Sequence, residues 1–176
     1  MKAGADAMSD SKADKTIDPG VRIGHVHLKV ADLDRALDFY VGVLGFQLTQ
    51  RMPSAAFMSA GGYHHHIALN TWESEGASPP PPRTTGLYHL AILYPSRALL
   101  ADALRRVAEA KIPLDGASDH GVSEALYLRD PDNNGVELYW DKPKEKWPRS
   151  PDGKLAMVTR RLDLQDLLGE LERPAA

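Results

Sequence analysis

A stretch near the start of this chain returns, degraded, 64 residues later. Ile23-Gly24-His25-Val26-His27-Leu28-Lys29-Val30-Ala31-Asp32 reappears as Leu87-Tyr88-His89-Leu90-Ala91-Ile92-Leu93-Tyr94-Pro95-Ser96. In each copy a His opens an apolar alternation, and seven positions later comes a residue that caps helices, Asp32 or Ser96. Self-similarity at a fixed offset marks a repeated supersecondary unit, and one such unit cannot bury its own sheet face. The chain must therefore pair two like modules, and pairing makes a cleft whose walls come from both.

Periodicity fills in each module. Residues 21–30 alternate as a strand, and Asp32 caps a helix whose apolar face is Leu33, Ala36, Leu37 and Tyr40. Gly42 and Gly45 end it. Strands are expected at 46–50, 57–59 and 63–72, with Gly61-Gly62 as a turn. The second module begins with a strand at 87–94. Ser96 then caps a helix carrying Leu99, Leu100, Ala103, Leu104 and Val107, which ends near Pro113. Strands follow at 117–121, 125–129 and 135–140, and Asp132-Asn133-Asn134-Gly135 is a hairpin turn because Asn and Gly tolerate positive φ.

The expected fold is α+β: two paired βαβββ modules forming one curved, partly open barrel-like sheet. The domain runs over 20–145, with module one at 20–73, a linker at 74–84 containing Pro79-Pro80-Pro81-Pro82, and module two at 85–141. Residues 1–19 read as a disordered tail, with Met8 as an alternative start. Residues 146–176 read as an extension ending in a short helix, where Leu164, Leu167, Leu168 and Leu171 recur at helical spacing, to pack on the body or on a second subunit.

Composition removes several function classes. A net charge of −3 gives no electrostatic reason to bind nucleic acid or an anionic membrane. With no Cys there is no disulfide, thiolate metal site or thiol nucleophile. No apolar run reaches the ~18 residues of a membrane span, and the first 18 residues lack the apolar stretch of a secretory signal. A cytoplasmic protein is expected.

The repeat places His25 and His89 at one register, and module two closes on Val136-Glu137-Leu138. Period two turns Glu137 away from its apolar neighbours. Taken singly, a His at a strand start is more often packed or solvated than a ligand, and a strand Glu is usually on the wet face. Together, two imidazoles and one carboxylate can form a facial triad that leaves three positions on an octahedral ion open, as an iron(II) oxygenase requires. His27 shares the parity of His25, but the repeat has Ala91 at its place, so it is read as unliganded. The run His64-His65-His66, His120 and Tyr127 lie near the expected cleft. A His there can move protons, and a tyrosine hydroxyl can hold a substrate oxygen.

These residues resemble the vicinal oxygen chelate superfamily, and within it the type I extradiol ring-cleaving dioxygenases, over roughly residues 20–145. The first-module signature is Gly24-His25, Asp32, Phe39-Tyr40 and Val43-Leu44-Gly45-Phe46. More specific are His65-His66-Ile67-Ala68-Leu69, His120-Gly121-Val122-Ser123 with Tyr127, and Leu128-Arg129-Asp130-Pro131-Asp132 through Glu137. The resemblance implies metal ligands His25, His89 and Glu137, and Fe(II) as cofactor with Mn(II) as a substitute. It also implies acid–base work by His65, assistance by His120 and Tyr127, and a catechol-type substrate with O2; a homo-oligomer is compatible with it. Regular strand alternation, however, puts His64 and His66 on one face and His65 on the other. Two rivals share the scaffold. A glyoxalase-like metal isomerase would take a fourth ligand from the last strand of module one, but Ala68 stands opposite Glu137 in the aligned repeat. A metal-free bleomycin-resistance-like binding protein would need no triad.

Overall fold

Apolar spacing and caps together set where the elements begin. In the computed structural model, which describes residues 16–173, the order is β1 (Val26–Lys29), α1 (Leu33–Leu37), β2 (Gln47–Met52), β3 (Ala55–Ser59) and β4 (Ile67–Asn70). Then follow β5 (Leu90–Leu93), α2 (Arg97–Glu109), β6 (Leu114–Asp119), β7 (Ser123–Arg129), β8 (Gly135–Asp141), β9 (Arg160–Arg161) and α3 (Leu164–Leu168). Both predicted caps form: Asp32 Oδ1 accepts from Arg35 N at 3.1 Å, and Ser96 Oγ from Leu99 N at 3.2 Å. Leu33, Ala36, Leu37 and Tyr40 are all buried, as their spacing requires. The α1 helix runs on as a π-helical turn over Asp38–Val43, with Leu44 N donating to Phe39 O.

The βαβββ plan holds in both modules, with one correction. The strands hydrogen-bond into two sheets, β1-β4-β3-β2 and β5-β8-β7-β6-β9, and the fold is open. In each sheet the first strand lies parallel to the last strand of its own module, so the helix crosses over the sheet and buries its apolar stripe there. The expected strands at 21–30, 63–72 and 87–94 shrink to four residues each. Their leading residues face solvent, Ile23 being 96% exposed, and so lack the burial that would hold them in a ladder. Leu99, expected on the core face of α2, is exposed instead. The proposed 1–19 tail falls largely outside the described residues.

The modules dock through the turn between β7 and β8. Asp130 accepts from Asp132 N, Asn134 N and Asn134 Nδ2, which shapes the turn around Asn133 at φ 65°. Across the module boundary it takes Tyr40 Oη at 3.0 Å. Asp132 Oδ1 accepts Ala31 N at 3.1 Å and Arg35 Nη2 at 2.6 Å, also from module one. Burial raises the carboxyl pKa of Asp130 despite these donors, because desolvation outweighs them.

The C-terminal extension packs on the body. β9 pairs with β6, an addition that two arginines give no pattern to foresee. Leu167 of α3 is fully buried, worth ~1.5–3 kcal/mol in transfer terms. Arg97 at the start of α2 ties this helix down, reaching Glu124, Glu170 and Asp166, each at 2.7 Å. Among the described residues no helix is long and apolar enough to cross a membrane.

Candidate active site

Strand parity sorts the site. On β1, Leu28 and Val30 point into the core, leaving His25 ahead of the strand and His27 within it on the opposite face. On β8, Val136 and Leu138 are buried and Glu137 faces the other way, its side chain 13% exposed. Glu137 stands between Ala91 of β5 and Tyr127 of β7 in the ladder. His89, just before β5, therefore lies diagonally beside it.

His89 Nε2 and Glu137 Oε2 are 2.9 Å apart. Gly135 makes that approach possible: a Cβ there would meet Tyr88 O at 2.1 Å and His89 Cβ at 3.0 Å. Behind the pair, Tyr127 Oη donates to Glu137 Oε1 at 3.1 Å, and His120 Nε2 lies 2.7 Å from the same hydroxyl. Desolvation, then the negative charge of Glu137, pushes the Tyr127 pKa up to about 12, so the phenol keeps its proton at neutral pH. A recess of about 180 Å³ opens alongside, lined by Tyr88, His89, Gly116, Tyr127 and Arg129 among others. A larger groove of about 640 Å³ lies between β6 and the segment from Arg161 to Gln165 and contains none of the titratable groups of the site.

The remaining candidates form a second group on module one. The His25 and His65 rings are 4.5 Å apart between centroids, and His65 also meets Phe57 edge-on. His64 Nδ1 and His65 Nδ1 are 2.8 Å apart, while His66 turns away to Ser59 Oγ at 3.1 Å. The triplet precedes β4 in irregular backbone after the Gly61-Gly62 turn, so the alternation expected at 63–72 does not apply to it. His65 reaches the His25 side for that reason. Its pKa is lowered, first by desolvation and then by His25 and the neighbouring histidines, which favours the neutral ring. His27 is occupied elsewhere, its Nε2 2.9 Å from Asn70 Nδ2 and its ring edge-on to Trp72.

The structure thus brings His89, Glu137, Tyr127 and His120 together and sets His25 with His65. Among the described residues no three His, Cys, Asp or Glu side chains gather closely enough to hold a metal ion. In kind the donors suit a divalent ion of the first transition row: two imidazoles, one carboxylate, and a hydroxyl fixing that carboxylate from behind. The repeat also aligns as expected, since Ala68 pairs with His27 and Phe57 as Glu137 pairs with Ala91 and Tyr127. Module one therefore offers a buried methyl where module two offers a carboxylate. Two contributions were not legible in the sequence. Gly135 read only as a turn residue, and the contacts of Val158 and Thr159 with His120 come from a segment with no periodic signal.

The chain is similar to several known proteins. The catechol-2,3-dioxygenase of Bacillus subtilis (strain 168) is 42% identical over 156 residues, covering 88% of this chain and 54% of the relative. The biphenyl-2,3-diol 1,2-dioxygenase 3 of Rhodococcus globerulus is 32% identical over 120 residues, 68% of this chain and 63% of that protein. The chain thus spans between about half and under two thirds of the length of these curated relatives. Among solved structures, a glyoxylase/bleomycin resistance protein/dioxygenase domain from Frankia sp. EAN1pec superposes with a TM-score of 0.58 at 25% identity, covering 69% of this chain and 98% of that one. The profile of one family matches residues 22–138, and this chain belongs to it: the Glyoxalase/Bleomycin resistance protein/Dioxygenase superfamily.

Proposed function

We propose that this protein is an extradiol dioxygenase that cleaves the ring of catechol or a substituted catechol with O2, using a non-haem Fe(II) for which His25, His89 and Glu137 would be the ligands. The likeness to a catechol-2,3-dioxygenase supports the reaction class. The observation that carries the site is the line His89–Glu137–Tyr127–His120, in which a carboxylate is in contact with an imidazole and is backed by a protonated phenol. When bound, ferrous iron would pass electron density from the diol to O2 with no net oxidation of its own, which lets a closed-shell diol react with O2; Mn(II) is the alternative ion.

The side chains divide the remaining work. Tyr127 holds Glu137 in one orientation, so the carboxylate does not swing into solvent. Its hydroxyl has one proton and two acceptors within reach, Glu137 Oε1 and His120 Nε2, so the hydrogen bond it donates can switch from one to the other while the phenol stays protonated. His65, neutral near pH 7 because its pKa is depressed, is free to take a proton from the substrate and return it to a developing oxygen anion. The recess beside His89 and Tyr127 has room for about six waters, whose displacement by an aromatic ring favours binding.

The test is direct. Protein loaded anaerobically with Fe(II) and mixed with catechol is expected to consume one O2 per catechol on admission of air and to yield a yellow ring-fission product. Zn(II) competes for such ligands but has no accessible redox change, so the zinc form is expected to be inactive. Turnover by the zinc form without O2 uptake would replace the dioxygenase reading with a Lewis-acid isomerase.

A further inference from the structure

We propose that the C-terminal segment from Trp147 to Arg161, beyond the part of the chain matched to the family, is a positioning element of the site that acts through His120. The inference rests on the dioxygenase reading for its catalytic consequence and on geometry for the rest.

The segment meets His120 from both backbone and side chain. Val158 N donates to His120 O at 3.1 Å, the Val158 carbonyl lies 3.1 Å from His120 Nδ1, and Thr159 Oγ1 lies 3.3 Å from the same nitrogen. Packing holds the segment close: a Cβ on Gly121, at φ +78°, would meet Pro148 Cγ at 2.8 Å and Val158 Cγ2 at 3.2 Å. The far end is anchored by the pairing of Arg160 and Arg161 with Asp119 and Ser118.

The consequence follows from proton counting. A carbonyl oxygen only accepts, so Nδ1 of His120 carries a hydrogen. In the neutral ring Nε2 is then bare, and it is Nε2 that sits 2.7 Å from Tyr127 Oη. The segment thereby selects the tautomer whose bare Nε2 competes with Glu137 Oε1 for the single Tyr127 proton, and it aims the ring along the line to Glu137. Without this contact the imidazole would rotate and exchange tautomers, and the Tyr127 proton would have one acceptor instead of two.

Two measurements test this. Long-range 1H–15N spectra of the protein without added metal are expected to show His120 with Nδ1 protonated and Nε2 bare; averaged shifts, or the Nε2–H form, would overturn the proposal. Gly121→Ala, which pushes the segment off, is expected to lower kcat by about 10–100-fold, the range for partners of a metal site's ligands, with KM for catechol and iron content within about twofold. Thr159→Val should lose about threefold in kcat and Thr159→Ser should recover it, as expected for one weak neutral hydrogen bond. Equal kcat in both Thr159 variants and Gly121→Ala overturns the positioning role, whether or not Gly121→Ala alters stability. If wild-type protein fails to cleave catechol, the dioxygenase reading falls, and the tautomer spectra still decide the role of the segment.

Discussion

Gly135→Ala adds one methyl group at the closest approach in the site. Its Cβ would sit 2.1 Å from Tyr88 O and 3.0 Å from His89 Cβ. A carbon and a carbonyl oxygen normally meet at ~3.3–3.6 Å, so the two backbones must part by roughly 1.2–1.5 Å. Neither contact can be relieved by a rotamer change, because the first is with backbone and the second with a Cβ. Module two would separate at β5 and β8, and His89 would leave the 2.9 Å contact with Glu137. Displacement of a reacting group by about 1 Å costs on the order of 100-fold, and that loss is expected in kcat/KM for catechol, together with substoichiometric iron. Stability should fall by about 1–3 kcal/mol, the range for overpacking. Gly42→Ala is the control: Gly42 lies in the π-helical turn after α1 and its added Cβ meets nothing within 4 Å, so activity should stay within twofold or so of wild type. Urea denaturation, iron analysis and oxygen-electrode kinetics would measure all three effects. Wild-type iron content and activity in folded Gly135→Ala would refute the claim that this close approach sets the His89–Glu137 geometry.

The other expectations concern the ligands, the acid–base residue and the module boundary. His25→Ala, His89→Ala and Glu137→Ala should each bind iron poorly while keeping a wild-type circular dichroism spectrum; full iron stoichiometry in Glu137→Ala would remove it from the ligand set. His65→Phe should retain iron and catechol binding but turn over slowly. In wild type, the acid limb of kcat/KM should lie below the usual histidine value of 6.5, because activity is lost as pH falls through the depressed His65 pKa; the same limb in His65→Phe, or its loss in His64→Phe, would move the role to another residue. Tyr40→Phe removes a buried hydrogen bond to Asp130 and should cost ~1.5–3 kcal/mol in urea titrations, as for a bond to a charged acceptor. A cost near zero would mean that the inter-module contact is made good by other groups.

Much of this was readable in the sequence because it is local. The two N-caps, the stripe of Leu33, Ala36, Leu37 and Tyr40, and the Asn133 turn depend on residues a few positions apart, and all are found. So is the inward placement of Val136 and Leu138 that turns Glu137 outward. What escaped depends on residues far apart in the chain. Strand length was overestimated at 21–30 and 63–72 because alternation continues past the point where a neighbouring strand is there to pair. Parity placed His65 on the wrong face because it assumes regular backbone, which the Gly61-Gly62 turn does not supply. The contact of His25 with His65 joins residues forty positions apart, and no repeat register encodes it.

The turn from Asp130 to Gly135 performs two tasks at once. Its carboxylates fasten module one through Tyr40, Arg35 and Ala31, and its last residue lets β8 deliver Glu137 to His89. After a duplication the two copies would ordinarily be free to diverge independently. Here they are not, since the second copy cannot remodel its turn to retune the carboxylate without loosening its grip on the first, and the first cannot change Tyr40 or Arg35 without disturbing the strand that presents the acid. Such a shared joint leaves variation to the recess around Gly116 and Arg129, where a side chain can change shape without touching either task.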